Sequence, residues 1–166
     1  MAGPRNVITT GLNWVDPSKF IMDITGAGAG VLGLPGADEL TSSCTSIQLA
    51  DINSAPIEEY TAEEWRFAVG RLENYQISLT FKDYDNFKLY RIFANGIQEF
   101  LRMYPDDQKM NLEIQTSDPF AVDGFQMIAQ FKDCILTTVS GPTLDHSAIS
   151  SIGEFTITLK ASYVET

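Results

Sequence analysis

Few residues of this chain have the types needed for chemistry, and they are scattered. Asp145, His146 and Ser147 contain the three residue types of a nucleophilic triad. Triad members meet in space from separate segments, and three consecutive residues cannot align nucleophile, base and orienter. His146 therefore reads as a solvent-facing or interface histidine. Gly28-x-Gly30-x-x-Gly33 has the glycine spacing of a dinucleotide fingerprint, with Asp51 at roughly the right distance downstream. That fingerprint works only where the third glycine enters a helix whose N-terminus receives the pyrophosphate, and Pro35-Gly36 arrives before a helix can form.

A single histidine and two separated cysteines, Cys44 and Cys134, give no recognisable spacing for a transition-metal site or a disulfide framework. Both cysteines read as small core residues. The acidic pairs Glu58-Glu59, Glu63-Glu64 and Asp106-Asp107 have the residue types of a hydrolase acid and base, but neighbouring carboxylates more often form a solvated edge. No catalytic, cofactor-binding or metal-binding residue is assigned, and the chain is not expected to be an enzyme.

Charge narrows the partners. Asp and Glu number 22 against 11 Lys and Arg, a formal net charge of -11. A nucleic-acid binder concentrates cations that displace counterions from phosphate, and no Lys or Arg cluster occurs here. Specific DNA or RNA binding is not expected on that ground. With 166 residues, 44% hydrophobic and 20% charged, the chain reads as a single folded domain spanning 1–166. No run approaches the ~20 apolar residues of a membrane span, and Met1 to Thr10 lack a charged region followed by an apolar one. The expectation is a cytoplasmic protein, or one that acts wherever its assembly ends up.

The elements that position these residues are mostly strands. Asn74 to Lys82 alternates Tyr75, Ile77, Leu79 and Phe81 with Gln76, Ser78 and Thr80, and Glu154 to Glu165 alternates Phe155, Ile157, Leu159, Ala161 and Tyr163 with Thr156 and Thr158. Phe20 to Ile24, Cys44 to Asp51, Trp65 to Val69, Met110 to Thr116 and Phe125 to Val139 are further strands, the last bent near Lys132-Asp133. A helix over Tyr84 to Tyr104, capped by Asp83 or Asp85, carries a stripe of Tyr90, Phe93, Ala94, Ile97, Phe100 or Leu101, and Tyr104.

Two stretches read as irregular. Residues 25–43, TGAGAGVLGLPGADELTSS, read as a long Gly-rich loop whose aliphatics Val31, Leu32 and Leu34 order against a partner chain. Ile52 to Glu64, with Pro56, Glu58, Glu59 and Tyr60, reads as a second loop between subunits. The fold class is β-rich α+β: a small barrel or sandwich of mostly antiparallel strands with one long amphipathic helix packed on it. The polar face of Gln76, Ser78, Thr80, Thr156 and Thr158 suits a wet inner wall or an edge-to-edge contact, because assembly removes free strand edges.

Three stretches, CTSIQLADINSAPIEEY (44–60), NYQISLTFKDYDNFKLYRIFANGIQEF (74–100) and GEFTITLKASYVE (153–165), resemble the tail tube proteins of contractile-tailed, T-even-like bacteriophages, whose plan type VI secretion tube proteins share. The resemblance implies homo-hexameric rings stacked into a tube through which genomic DNA passes without specific binding. It implies sheath, baseplate and terminator proteins as partners, no membrane, and a place in the virion tail after assembly in the host bacterial cytoplasm. The Gly-rich stretch departs from that pattern, which makes Gly26, Gly28, Gly30, Val31, Leu32 and Leu34 the first candidates for contacting the next ring. If the chain lines a tube, its surplus of carboxylates would give a wall that repels phosphate. Alternatives are a baseplate or tail-terminator piece, a secretion-system or tailocin tube, and a small ligand-binding β domain.

Overall fold

The computed structural model describes residues 16–49, 54–61, 64–72, 75–83, 87–117, 124–142 and 153–165, with backbone only for 16–18 and 54–72. In chain order these form β1 (Asp16–Thr25), α1 (Ala27–Leu32), α2 (Ala37–Ser43), β2 (Cys44–Gln48), β3 (Ser54–Thr61), β4 (Glu64–Leu72), β5 (Tyr75–Asp83), α3 (Lys88–Phe100), a 3-10 turn (Pro105–Gln108), β6 (Met110–Ser117), β7 (Phe125–Ser140), β8 (Gly153–Ala161) and β9 (Tyr163–Glu165). The main sheet runs β1-β6-β7-β8-β5-β2 with β9 beside β7, and every pairing is antiparallel.

The period-two pattern of β5 and β8 aligns their apolar faces in register, from Tyr75 opposite Ala161 to Phe81 opposite Phe155. All eight inward residues of the two strands are buried. A slip of one residue would turn that whole set to solvent, so the pattern itself fixes the pairing.

β7 belongs to both halves of the sheet. Its first part pairs with β6 as far as Cys134, and Ile135 to Ser140 pair with β8. Between them Asp133 takes a left-handed conformation, φ 51, and its N–H donates to Asn111 Oδ1 at 3.3 Å. A residue in this conformation bends a strand, as the expected break near Lys132-Asp133 required. The chain beside it breaks at the same corner: Ser162 N–H donates to Lys132 O at 3.1 Å, separating β8 from β9. The long C-terminal strand expected over Glu154 to Glu165 is therefore two strands. Tyr163, expected inward, is 47% exposed because the break resets the alternation.

The corner folds the sheet so that Met22, Leu112 and Phe131 share one core with Ile77, Leu79, Ile157 and Leu159. The two ends of the strand order, β1 and β2, do not pair with each other. The architecture is thus an open, sandwich-like folded sheet, and the closed-barrel alternative is not formed.

α3 is shorter than Tyr84 to Tyr104, and its buried face is Leu89, Phe93, Gly96 and Phe100. Tyr90 and Ile97 only flank the core. Leu101 and Tyr104 are 83% and 81% exposed, because the helix has ended and the chain is turning ahead of Pro105. Asp83 Oδ2 accepts the Tyr90 N–H at 2.9 Å, so the last residue of β5 caps α3 from outside the helix. Asp83→Ala should cost about 1 kcal/mol by urea denaturation, and Asp83→Asn, which keeps an acceptor, distinctly less.

The Gly-rich stretch is not a loop. It forms α1 and α2, with Leu32 and Leu40 buried. Glycine disfavours helix on propensity, so packing must supply the stability. A Cβ on Gly28 would lie 2.4 Å from the Gln108 carbonyl oxygen, and one on Gly96 would lie 1.7 Å from Leu32 Cδ2. The missing side chains let α1 settle against the 105–108 turn and α3. Gly33, φ 66, then ends α1, its N–H donating to Ala29 O at 3.2 Å. The stretch around Pro56 is likewise ordered: β3 and β4 form a two-stranded antiparallel sheet with Pro56 opposite Val69, proline being tolerated where a ladder has a free edge.

Candidate functional site

Among the described residues, no motif with chemical potential assembles into a reactive centre. Gly28 and Gly30 lie inside α1 and Gly33 caps its C-terminal end. Gly33, the third glycine, therefore sits at the negative end of the helix dipole, the wrong end for a phosphate, and the Gly28 N–H is already donated to Lys109 O at 3.0 Å. Burial pushes both the Cys44 and the Cys134 thiol up to about 11, so neither is a thiolate nucleophile near neutral pH. Asp106 pairs with Lys109 at 2.9 Å on an exposed turn. Among the described residues, no group of three or more His, Cys, Asp and Glu is placed to hold a metal. Asp145, His146 and Ser147 lie outside the described residues, as do Asp51 and Glu63.

What the fold does build is a broad polar surface dominated by hydroxyls and amides. Strand pairing places Ser46, Thr80, Thr156 and Ser140 in one row across β2, β5, β8 and β7, and Gln48, Ser78, Thr158 and Thr138 in the next. Gln76 stands opposite Lys160 in a third. Thr80 Oγ1 and Thr156 Oγ1 share a hydrogen bond at 3.1 Å. The five residues expected on a polar face, Gln76, Ser78, Thr80, Thr156 and Thr158, thus fall together. Ser46, Gln48, Thr138 and Ser140 were not foreseen, because bulges after Cys44 and after Leu136 break the alternation in β2 and β7.

The charges on this face are Lys160 and, at its end, Lys82 within 3.9 Å of Glu154. An acidic wall is therefore not found on this surface. Carboxylates gather on the other half of the sheet, where Asp23, Glu113, Gln130 and Glu165 form a row and Gln130 Nε2 donates to Glu113 Oε1.

The margins of the polar sheet are open. Among the described residues, no strand pairs with β2 on the side away from β5, or with Ile135 to Ser140 on the side away from β8. The edge of β1 is guarded instead. Met22 N–H donates to Thr41 Oγ1 at 3.1 Å, and Thr41 Oγ1 donates to Met22 O at 3.2 Å, so one α2 hydroxyl takes the place of a pairing strand. Thr41→Val should cost about 1–3 kcal/mol in denaturant titrations and raise light scattering as the edge becomes available.

The segment singled out for stacking divides by burial. Gly28 and Leu32 are buried and Leu34 packs against the core, whereas Gly30 is exposed and Val31 is 44% exposed. Pro56, Glu58, Glu59 and Tyr60 lie on β3.

No family model matches the chain, and no curated protein does. Solved structures do. A chain in the sheath–tube complex of an extracellular contractile injection system (PVC), in its extended state, superposes with a TM-score of 0.65 at 16% identity, over 92% of this chain and 90% of that one. A chain in the tube-terminating cap of the anti-feeding prophage gives 0.66 at 20% identity, over 99% and 97%. One in the PVC sheath/tube terminator gives 0.66 at 18% identity, over 93% and 97%. Across nearly its whole length, this chain has the fold of structural subunits of contractile injection particles.

Proposed function

We propose that the chain is a tube subunit of a contractile, phage-tail-like particle, a structural protein and not an enzyme. Six copies would form a ring, and rings would stack into a conduit. The observation that carries this reading is a four-stranded sheet with a polar face, mostly hydroxyls and amides, and an open strand edge at each side. Strands β7, β8, β5 and β2 alternate in direction, so the two margins run antiparallel to each other. Rotation about an axis along the strands then brings β2 of one copy beside Ile135–Ser140 of the next, a head-to-tail contact that closes on itself. Six copies supply about 24 strands, and at ~4.8 Å spacing the wall would be roughly 37 Å across between backbones.

Such a wall offers hydroxyls and amides and no cluster of cations. Genomic DNA would slide past without a site to hold its phosphates, while the net negative field of the ring discourages adhesion. The hairpin β3–β4 pairs with no other described strand, and an isolated two-stranded unit is marginal in water. A neighbouring subunit is what would steady it, which gives Pro56, Glu58, Glu59 and Tyr60 their inter-subunit role. Exposed Gly26, Gly30 and Val31 are the members of the Gly-rich set available for ring stacking. Sheath, baseplate and terminator proteins would be the partners, in a particle assembled in the host cytoplasm.

A second reading, a cap or terminator ring, draws on the likeness to a tube-terminating cap and a sheath/tube terminator. Negative-stain microscopy with analytical ultracentrifugation of the purified chain separates the two. Stacked rings are the expected result, and single rings that never stack would favour the terminator. A strict monomer at high concentration would remove both.

A further inference from the structure

Exposed apolar side chains mark both ends of β6. At its C-terminal end an apolar cleft of about 280 Å³ is walled by Phe20, Ile47, Leu49, Ile114 and Ile128. Beside it Met127 and Phe125 stand exposed, opposite Gln115 and Ser117. Ahead of its N-terminal end the turn that leaves α3 presents Leu101 and Tyr104, the two most exposed large apolar side chains among the described residues. About 20 Å of extended strand, Met110 to Thr116, separates the turn from the cleft.

Thr116 also lines the cleft. Its side chain is only 4% exposed and its Oγ1 has no hydrogen-bond partner. Buried hydroxyls are almost always satisfied, so a group that completes this cleft must join apolar bulk to a polar tip. No residue lining the cleft is charged, and an unpaired charge would be kept out of it. Tyrosine combines an apolar ring with one hydroxyl. The turn that carries Tyr104 is held in place: Gln108 Nε2 donates to Phe100 O at 2.6 Å and to Met103 O at 3.0 Å, and Tyr104 O accepts the Asp107 N–H at 3.0 Å. A turn fixed in advance loses little freedom on docking.

We propose that Tyr104 of one copy, with Leu101 beside it, enters the Thr116 cleft of a second copy and hydrogen-bonds the Thr116 hydroxyl. Turn and cleft lie at opposite ends of β6, so they cannot meet within one chain. The contact is head-to-tail: each copy offers one tyrosine turn and one cleft, and both exposed apolar ends are covered at once. A heterologous contact that does not close on itself continues as a stack. The inference deepens the tube reading, and as the contact between successive rings it rests on that reading. α1 docks at the same end as the turn, Gly28 N–H donating to Lys109 O at 3.0 Å. The Gly-rich helix and the tyrosine turn therefore belong to one stacking surface.

Cross-linking and microscopy on the full chain test the contact. Tyr104→Cys and Leu49→Cys are combined in one chain, which is mildly oxidised; Cys44 and Cys134, being buried, stay out of the reaction. A disulfide spans no more than ~7 Å between Cα atoms, so the two ends of one copy cannot be joined, and a ladder extending beyond the dimer is the expected product. Each single variant should give few dimers, and an equal mixture of the two many. No ladder, or abundant dimers of the Tyr104→Cys variant alone, would overturn the proposal. In negative stain, Tyr104→Ala should leave rings intact and abolish stacking. Tyr104→Phe and Thr116→Val should each raise the concentration needed for stacking at least about fivefold, and the double variant should recover most of that loss because neither hydroxyl is then left unpaired. Losses that simply add would overturn the hydroxyl pairing. Tubes untouched by Tyr104→Ala would overturn the contact and leave the tube reading standing, whereas a ladder without rings would overturn the tube reading and leave the contact.

Discussion

Phe93→Ala is expected to remove about 3–5 kcal/mol of stability. Phe93 is fully buried, and its ring centroid lies 5.7 Å from that of Phe81 and 6.1 Å from that of Phe155. Phe81 and Phe155 stack on each other at 5.5 Å, and Tyr90 meets Phe155 edge-on at 5.7 Å. This cluster joins the centre of α3 to the two central strands of the polar sheet. The void left by alanine cannot collapse easily, because β5 and β8 are held by their ladder and α3 by Asp83 and by the close approach of Leu32 to Gly96. Against a typical domain stability of about 5–15 kcal/mol, the melting temperature should fall by roughly 6–20 °C. Leu101→Ala, at the C-terminal cap directly after Phe100 and 83% exposed, should change stability by no more than about 0.5 kcal/mol. Calorimetry of the two variants provides the check, and equal effects would mean that α3 is docked through a different face.

The contrast between Phe93 and Leu101 also marks how far the sequence could be read. The alternation of β5 and β8 was legible because both strands bury one face and expose the other, so every second residue reports the fold. The helix was legible as a helix, and Phe93 and Phe100 of its expected stripe are buried, whereas Tyr90, Ala94 and Ile97 lie at the margin of the buried face. Leu89 and Gly96 belong to the buried face, and Gly96 is there because Leu32 needs the space that a side chain would fill, a fact held by a residue far away in the chain. α1 and α2 were hidden for the same reason. Gly28 is a poor helix former until the Gln108 carbonyl is brought against it, and only the folded chain does that. The division of the C-terminal strand at Ser162 follows from a bend at Asp133 in a neighbouring strand, which no local pattern in 154–165 records.

The polar face was half legible. Gln76, Ser78, Thr80, Thr156 and Thr158 lie on regular strands and were found by period. Ser46, Gln48, Thr138 and Ser140 lie past bulges that shift the alternation by one, so their side of the sheet was visible only in the ladder. The net charge of -11 was misleading in the other direction: a whole-chain sum carries no address, and the described carboxylates are spread over α2, α3, the 105–108 turn and the row of Asp23, Glu113 and Glu165 rather than over the hydroxyl rows.

Ring closure through β2 makes an assembly prediction that separates backbone pairing from folding. Successive residues of an edge strand point their N–H groups alternately toward the inner partner and toward the free side. Ser46 and Ile47 are neighbours on β2, opposite Thr80 and Leu79 of β5, so one of them donates toward β5 and the other faces outward. Proline removes the donor at either position. In one of the two variants, Ser46→Pro or Ile47→Pro, the lost bond is internal and the monomer should be destabilised, with assembly impaired only as a consequence. In the other, the monomer should keep its circular dichroism and most of its melting temperature while rings and tubes disappear from micrographs. The outward-facing variant should also sediment as a monomer where the parent chain forms large species. If both prolines leave ring formation intact, β2 is not the closing edge, and the head-to-tail pairing of β2 with the second half of β7 has to be abandoned even if tubes are seen. If both only unfold the chain, Val139→Pro and Ser140→Pro on the opposite margin, opposite Ile157 and Thr156 of β8, repeat the comparison from the other side of the same contact. The pairing predicts that one variant on each margin is folded yet unable to assemble, and that mixing those two does not restore rings, because each ring needs both edges on every copy.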